Sequence, residues 1–100
     1  MITVDVNANI CNTSLKGSID CSYAKLVSLF GEPNSEGDGY KVDAEWILNT
    51  SAGPAAIYNY KNGKNYNGAS GDNVEDITDW HIGAHNKETA QLVIDYINSN

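Results

Sequence analysis

The segment Trp80-His81-Ile82-Gly83-Ala84-His85-Asn86 sets two imidazoles four residues apart, two residues after Asp79. On a helix that spacing puts both rings on one face, as zinc sites require. Gly83 interrupts the run, so His81 falls on a strand and His85 in the loop before a helix cap. Nothing nearby supplies a third and fourth ligand, and no metal is expected. Asp43 and Glu45 are a carboxylate pair of the kind glycosidases use, but that chemistry needs a cleft for the sugar. Cys11 or Cys21 with His81 or His85 is the nucleophile arrangement to consider, yet Cys21 lies on the apolar side of its expected strand, where cysteine is usually inert. Gly37-Asp38-Gly39 and Gly68-Ala69-Ser70-Gly71 neither lead into a helix nor precede Lys-Ser or Lys-Thr, and their acids would repel a phosphate. Asp72-Asn73-Val74-Glu75-Asp76 has the oxygen density of a calcium loop without its ligand spacing or central glycine. No constellation assembles nucleophile, base and oxyanion donors. The expectation is a non-enzymatic chain with no catalytic residue, no metal and no cofactor.

Charge is the stronger signal. Of 13 acidic residues, five lie in one window (Glu32, Glu36, Asp38, Asp43, Glu45) and four in another (Asp72, Glu75, Asp76, Asp79), and the net charge is −7. Uneven charge bears on steering and partner choice more than on fold. Arginine is absent and the six lysines are scattered. The chain therefore lacks the fork-shaped group and the basic stripe that nucleic-acid binding uses, and an anionic membrane would repel it.

A hundred residues with 41% hydrophobic content suffice for one domain, residues 1–100, around one core. No apolar run is long enough to span a membrane, and Met1-Ile2-Thr3-Val4-Asp5 lacks the pattern of a secretory signal. A cytoplasmic protein with free thiols at Cys11 and Cys21 is expected.

Several elements must position these groups. Ile2, Val4, Val6, Ala8 and Ile10 alternate with polar residues, as do Leu15, Gly17, Ile19 and Cys21, which predicts a hairpin over the first twenty-odd residues. Ser22 caps a helix whose apolar stripe is Tyr23, Leu26, Val27 and Phe30, closed by Gly31 and Pro33. Tyr40, Val42, Ala44, Trp46 and Leu48 read as the inward face of a strand, and residues 55–61 as the next. Asn62-Gly63 reads as a hairpin turn. A polar connection, Asn67 to Asp76, precedes a last strand at 77–82. Asn86 then caps a helix with Leu92, Val93, Tyr96 and Ile97 buried. The order predicts an α+β domain, an antiparallel sheet of about five to six strands with two helices on one face.

Two resemblances rest on these segments. The helix from Tyr23, Gly31-Glu32-Pro33, the strand with Glu45-Trp46 and the expected hairpin from Ala56 to Lys64 are similar to the helix, Gly-x-Pro, strand, hairpin unit of β-lactamase-inhibitor and BamE-like domains. More broadly, Leu29-Phe30-Gly31-Glu32-Pro33, residues 39–46, residues 57–66 and Ile77-Thr78-Asp79-Trp80-His81-Ile82-Gly83 resemble a group of small acidic bacteriophage proteins. That likeness implies a role in the contest with a host, of which anti-CRISPR and nuclease-inhibiting proteins are known types.

The functional expectation is an inhibitor that binds a basic, nucleic-acid-handling surface of a host protein. Asp43, Glu45, Asp72, Glu75, Asp76 and Asp79 would carry the charge. Same-face strand residues are about 6.6 Å apart, so Asp43 and Glu45 would match the spacing of backbone phosphates. Tyr58, Tyr60 and Tyr66 would supply rigid aromatic anchors. The alternative is a small-molecule binder whose pocket is floored by Trp46 and Trp80, with His81 beside them and the 67–76 loop as lid.

Overall fold

The structure is a computed structural model describing residues 2–100. Its centre is one five-stranded antiparallel sheet of β1 (Ile2–Val4), β2 (Ser14–Asp20), β3 (Glu45–Thr50), β4 (Gly53–Tyr58) and β5 (Asp79–Ala84), in the spatial order β1-β3-β4-β5-β2. The helices are α1 (Tyr23–Phe30), the single turn α2 (Lys64–Asn67) and α3 (Lys87–Ser99). This is the α+β architecture expected, with α1 and α3 on the same face.

Local chemistry sets both long helices. The Ser22 hydroxyl accepts from the Lys25 N–H and the Asn86 side chain from the Thr89 N–H, each occupying an otherwise orphaned donor of the first turn. Leu26 and Phe30 of α1 and Ala90, Val93 and Ile97 of α3 cover the inward row Trp46, Leu48, Ala55, Ile57, Trp80, Ile82 and Ala84. The two indoles meet edge to face with centroids 5.4 Å apart. Their N–H groups are satisfied: Trp46 donates to the Gly31 carbonyl at 2.8 Å and Trp80 to the Cys21 carbonyl at 3.1 Å. Tyr23 lies against both rings, so the indoles fix both ends of α1 as well as filling the core.

The expected N-terminal hairpin does not form. β1 stops at Val4 and pairs with β3, while β2 pairs with β5 at the opposite edge. Side chains interrupt the alternation: Asp5 accepts from the Asn7 N–H, Asn9 accepts from the Cys11 N–H, and Asn12 takes φ 65°. Such local bonds offer the backbone an alternative to a ladder. Because every pairing is antiparallel, β1 and β2 run in the same direction, and residues 5–13 must travel diagonally from one edge and end of the sheet to the other. Ile47, Ala56 and Gly83 lie on that diagonal and are buried, although they face away from the helices. A Cβ on Gly83 would stand 3.8 Å from the Thr13 hydroxyl. Residues 5–13 thus form a strap over part of the second face, leaving the corner around Tyr58 and His81 uncovered.

Three further expectations change. β3 begins at Glu45 rather than Tyr40, because one oxygen of Asp38 accepts from the N–H groups of Tyr40, Lys41 and Val42 and coils that stretch. Tyr40 accordingly points outward, 56% exposed. Asn62-Gly63 makes no hairpin: the left-handed residue is Lys61 at φ 61°, and Gly63 caps α2. On α3 the buried stripe is Thr89, Ala90, Val93 and Ile97, and Leu92 faces solvent.

Three amide bonds hold Asp38 below the usual carboxylate range, with Lys41 adding to the effect. A depressed folded pKa gives stability that is present above the ordinary carboxylate value and is lost as pH falls through the lower, folded one. Protection of the residue 40–42 amides, taken relative to the intrinsic exchange rate at each pH, is therefore expected to fall below about pH 4. In Asp38→Asn, which keeps the acceptor oxygen and loses the charge, that pH dependence should vanish.

Candidate functional site

Sequence-distant segments converge beside the uncovered corner, where Asn59 ties residues 43–44 to its own turn and Asn62 extends the connection to Asp79. Its side chain is wholly buried. The amide oxygen accepts from the Asp43 and Ala44 N–H groups at 2.7 and 3.1 Å, and the amide nitrogen donates to Asp43 Oδ1 at 2.8 Å and to Asn62 Oδ1 at 3.0 Å. Asn62 passes the connection on by donating to the Asp79 carbonyl. Asp43 Oδ2 accepts from the Asn65 N–H at the start of α2. Asp43 is therefore not on a strand and not paired in register with Glu45, as the alternation suggested. It is a carboxylate bonded into the fold by Asn59 and Asn65, and the strand from which the phosphate-like spacing was expected does not extend to it.

Outside this polar knot lies an aromatic surface. Antiparallel register sets Glu45 opposite Tyr58, Tyr58 opposite His81 and His81 opposite Ser18, a row across four strands. Tyr60 stacks on His81 at 5.5 Å, and Tyr58 meets the same ring edge-on at 5.7 Å. Tyr66 packs against Tyr40 at 5.2 Å. The Lys61 ammonium sits 5.3 Å from the Tyr60 centroid and 5.5 Å from that of Tyr66, which is cation–π distance. Its left-handed backbone is held by its own N–H donating to the Lys41 carbonyl and by Asn67 donating to its carbonyl. The three tyrosines expected as anchors are thus neighbours, joined by His81 and by Lys61, with Tyr40, which alternation turns inward, packed on Tyr66. Burial, then the Glu45 charge, pushes the Tyr58 hydroxyl above its ordinary pKa.

The two acidic windows meet in space twice. Gly63 has the Asp43 carboxylate against its α-carbon, and it also forms a parallel bridge with Asp72. The Tyr23 hydroxyl donates to Glu32 at 3.5 Å, and burial first, then the charge and hydrogen bond of Glu32, then the charge of Glu75, raise its pKa. A cleft of about 550 Å³ opens there, bounded by Tyr23, Glu32, Ser35, Glu36, Asp43 and Val74. Asp72, Glu75, Asp76 and Asp79 are exposed, while Glu45 is half-buried and accepts from the Ser35 hydroxyl at 2.7 Å. Asp20, outside both windows, stands directly opposite Asp79. Only the β2–β5 pairing reveals it, and β2 had been assigned to another partner. If Glu75 acts on Tyr23 through space, Glu75→Gln should lower the Tyr23 pKa, and Glu32→Gln should lower it further. Ultraviolet titration of the phenolate reads both.

No family model matches this chain, nor does any curated protein or solved structure. Residues 39–46, 57–66 and 77–83 all contribute to the knot around Asn59 or to the aromatic row.

Among the described residues Trp46 and Trp80 present no surface to the floor of a pocket. Both indoles are fully buried against each other, and neither lines the acidic cleft or a smaller one of about 260 Å³ between Ile2, Thr50, Leu92 and Tyr96. His81 faces the opposite side of the sheet from Trp80. Both cysteines are free thiols, Cys11 exposed and Cys21 half-buried, with burial raising the Cys21 pKa. Among the described residues no three His, Cys, Asp or Glu side chains converge to hold a metal, and no helix is long and apolar enough to cross a membrane.

Proposed function

We propose that this chain is a small binding protein that blocks a basic, nucleic-acid-handling surface of a host protein, as inhibitors of the anti-CRISPR type do. The observation that carries the reading is the meeting of the two acidic windows, across Gly63 and across Tyr23, next to an exposed tyrosine cluster. Clustered carboxylates steer a lysine- or arginine-lined groove into contact and speed association, with affinity falling as salt rises. Tyrosines fixed by their neighbours add contact area at little entropic cost, which is how a few residues come to dominate an interface. Asp72, Glu75, Asp76 and Asp79 form the outward charge, Glu45 and the cluster of Tyr58, Tyr60 and Tyr66 the anchor, and Asp43 supports both from beneath.

The test is capture of host proteins on the immobilised chain, followed by elution with duplex DNA. Retained proteins are expected to be nucleic-acid binders that DNA displaces. Reversing Asp72, Glu75 and Asp79 to lysine should slow association by roughly tenfold or more at low salt, whereas reversing Asp5 and Asp95 should not. Equal effects of the two sets, or retention indifferent to DNA, would refute the reading.

A further inference from the structure

Beyond the three residues of β1 the β3 side of the sheet is closed, whereas the β2 side is open. Along β3, where β1 ends, the Asp5 N–H and the Asn34 amide take over the Ile47 carbonyl, Asn34 accepts from the Ile47 N–H, and Ser35 exchanges two backbone bonds with Glu45. Along β2, among the described residues, no equivalent bonds occupy the outer side of Ser18 or Asp20. The Cys21 N–H donates to the Thr78 carbonyl at 3.0 Å, which fixes the phase of the ladder. Gly17, Ile19 and Cys21 turn their backbone groups toward β5, so Ser18 and Asp20 turn theirs outward. Both residues are exposed. An outward row of this kind is a template for an added strand.

The charges beside that edge say which strand it fits. Asp20 and Asp79 face each other across a non-hydrogen-bonded pair, where side chains stand closest, and like charges so placed repel. A lysine or arginine on the next strand out would lie beside Asp20 and relieve both carboxylates. The bulge between Leu15 and Gly17 confines regular pairing to the stretch that ends at Asp20, so the guest segment is short. We infer that the open edge of β2 binds a short, extended, lysine- or arginine-bearing segment of a partner protein by strand addition, with the basic side chain placed over Asp20 and Asp79. This rests on reading the chain as a binder of basic protein surfaces, and it adds a backbone-directed contact to that reading.

The experiment uses the whole chain and two capped synthetic peptides, one alternating valine with lysine and one alternating valine with glutamate. Amide exchange is followed residue by residue. With the lysine peptide, exchange at Ser18 and Asp20 should slow by about tenfold or more, while the Ile19 amide, already in the ladder, stays unchanged. The glutamate peptide should protect neither. Ser18→Pro deletes one outward donor without touching the bonds to β5 and should abolish the protection. Asp20→Asn with Asp79→Asn keeps the edge and should erase the preference for lysine over glutamate, so the proposal stays testable if the proline variant folds poorly. Protection of β1 instead, protection growing with protein concentration in the absence of peptide, or none at all would each overturn the inference. Peptide binding here with no host protein captured would sink the functional reading alone. Capture that survives loss of the edge would sink this one alone.

Discussion

Replacing Asn59 with alanine is expected to lower the unfolding free energy by about 3 kcal/mol, read from urea denaturation at neutral pH. The estimate follows from what is orphaned. Two adjacent N–H groups, those of Asp43 and Ala44, lose their acceptor where the chain is partly or wholly buried, and an unmet buried donor costs about 1–3 kcal/mol. Asp43 and Asn62 also lose a donor apiece. Small domains typically have only about 5–15 kcal/mol in all, so the variant should be marginal. Asn59→Asp separates the parts of this effect. Its oxygen still accepts from both N–H groups, but a second oxygen now faces Asp43 Oδ1 where the amide nitrogen stood. Burial and the neighbouring carboxylate raise the folded pKa of the new acid above its unfolded value, so the chain binds more protons folded than unfolded and stability rises as pH falls toward the unfolded value. Asn59→Asp should therefore regain stability on mild acidification, and Asn59→Ala should not.

Asn59 also shows why part of this molecule could be read from sequence and part could not. Caps and stripes act within one or two turns, so Ser22, Asn86 and the period of α1 announce both long helices. Trp46 and Leu48, inward by alternation, do lie in the core, and Ile57, Trp80 and Ile82 join them there at alternate positions of their own strands. Alternation does not encode which strand pairs with which. The even spacing from Ile2 to Ile10 suited a hairpin as well as it suits a short edge strand followed by a strap, and only Asp5, Asn9 and Asn12, acting through their own backbone, decide between them. The same limit hid Asp20 beside Asp79. An asparagine between Tyr58 and Tyr60 gives no sign that it will tie residues 43–44 to its own turn, since those partners are distant in sequence. The tyrosine cluster was visible as a set of residues, while the inward role of Asp43 was not.

Gly63→Ala is expected to be as damaging as loss of Asn59, by about 3 kcal/mol, for a reason that ties fold to surface. A Cβ at that position would stand 2.0 Å from Asp43 Oδ1 and 2.4 Å from its Cγ. A flexible surface side chain could swing aside, but this carboxylate is held by Asn59 on one oxygen and by the Asn65 N–H on the other. Moving it gives up both bonds and leaves the start of α2 without its acceptor. The neighbouring chain has no slack either, because a Cβ on Gly71 would stand 2.2 Å from the Gly63 carbonyl oxygen, so the two glycines are pressed backbone to backbone. The φ of Gly63 is −100°, open to any residue, which makes lack of space the whole cause. Thermal unfolding should show the lowered stability. Exchange in residues 62–72 should show where it originates, and capture of host proteins should fall even though no charge has been altered, because Asp72 and the Lys61 to Tyr66 segment would no longer be held against the rest of the surface. If binding instead persists at full strength in folded Gly63→Ala, the contact must be made elsewhere than at this corner.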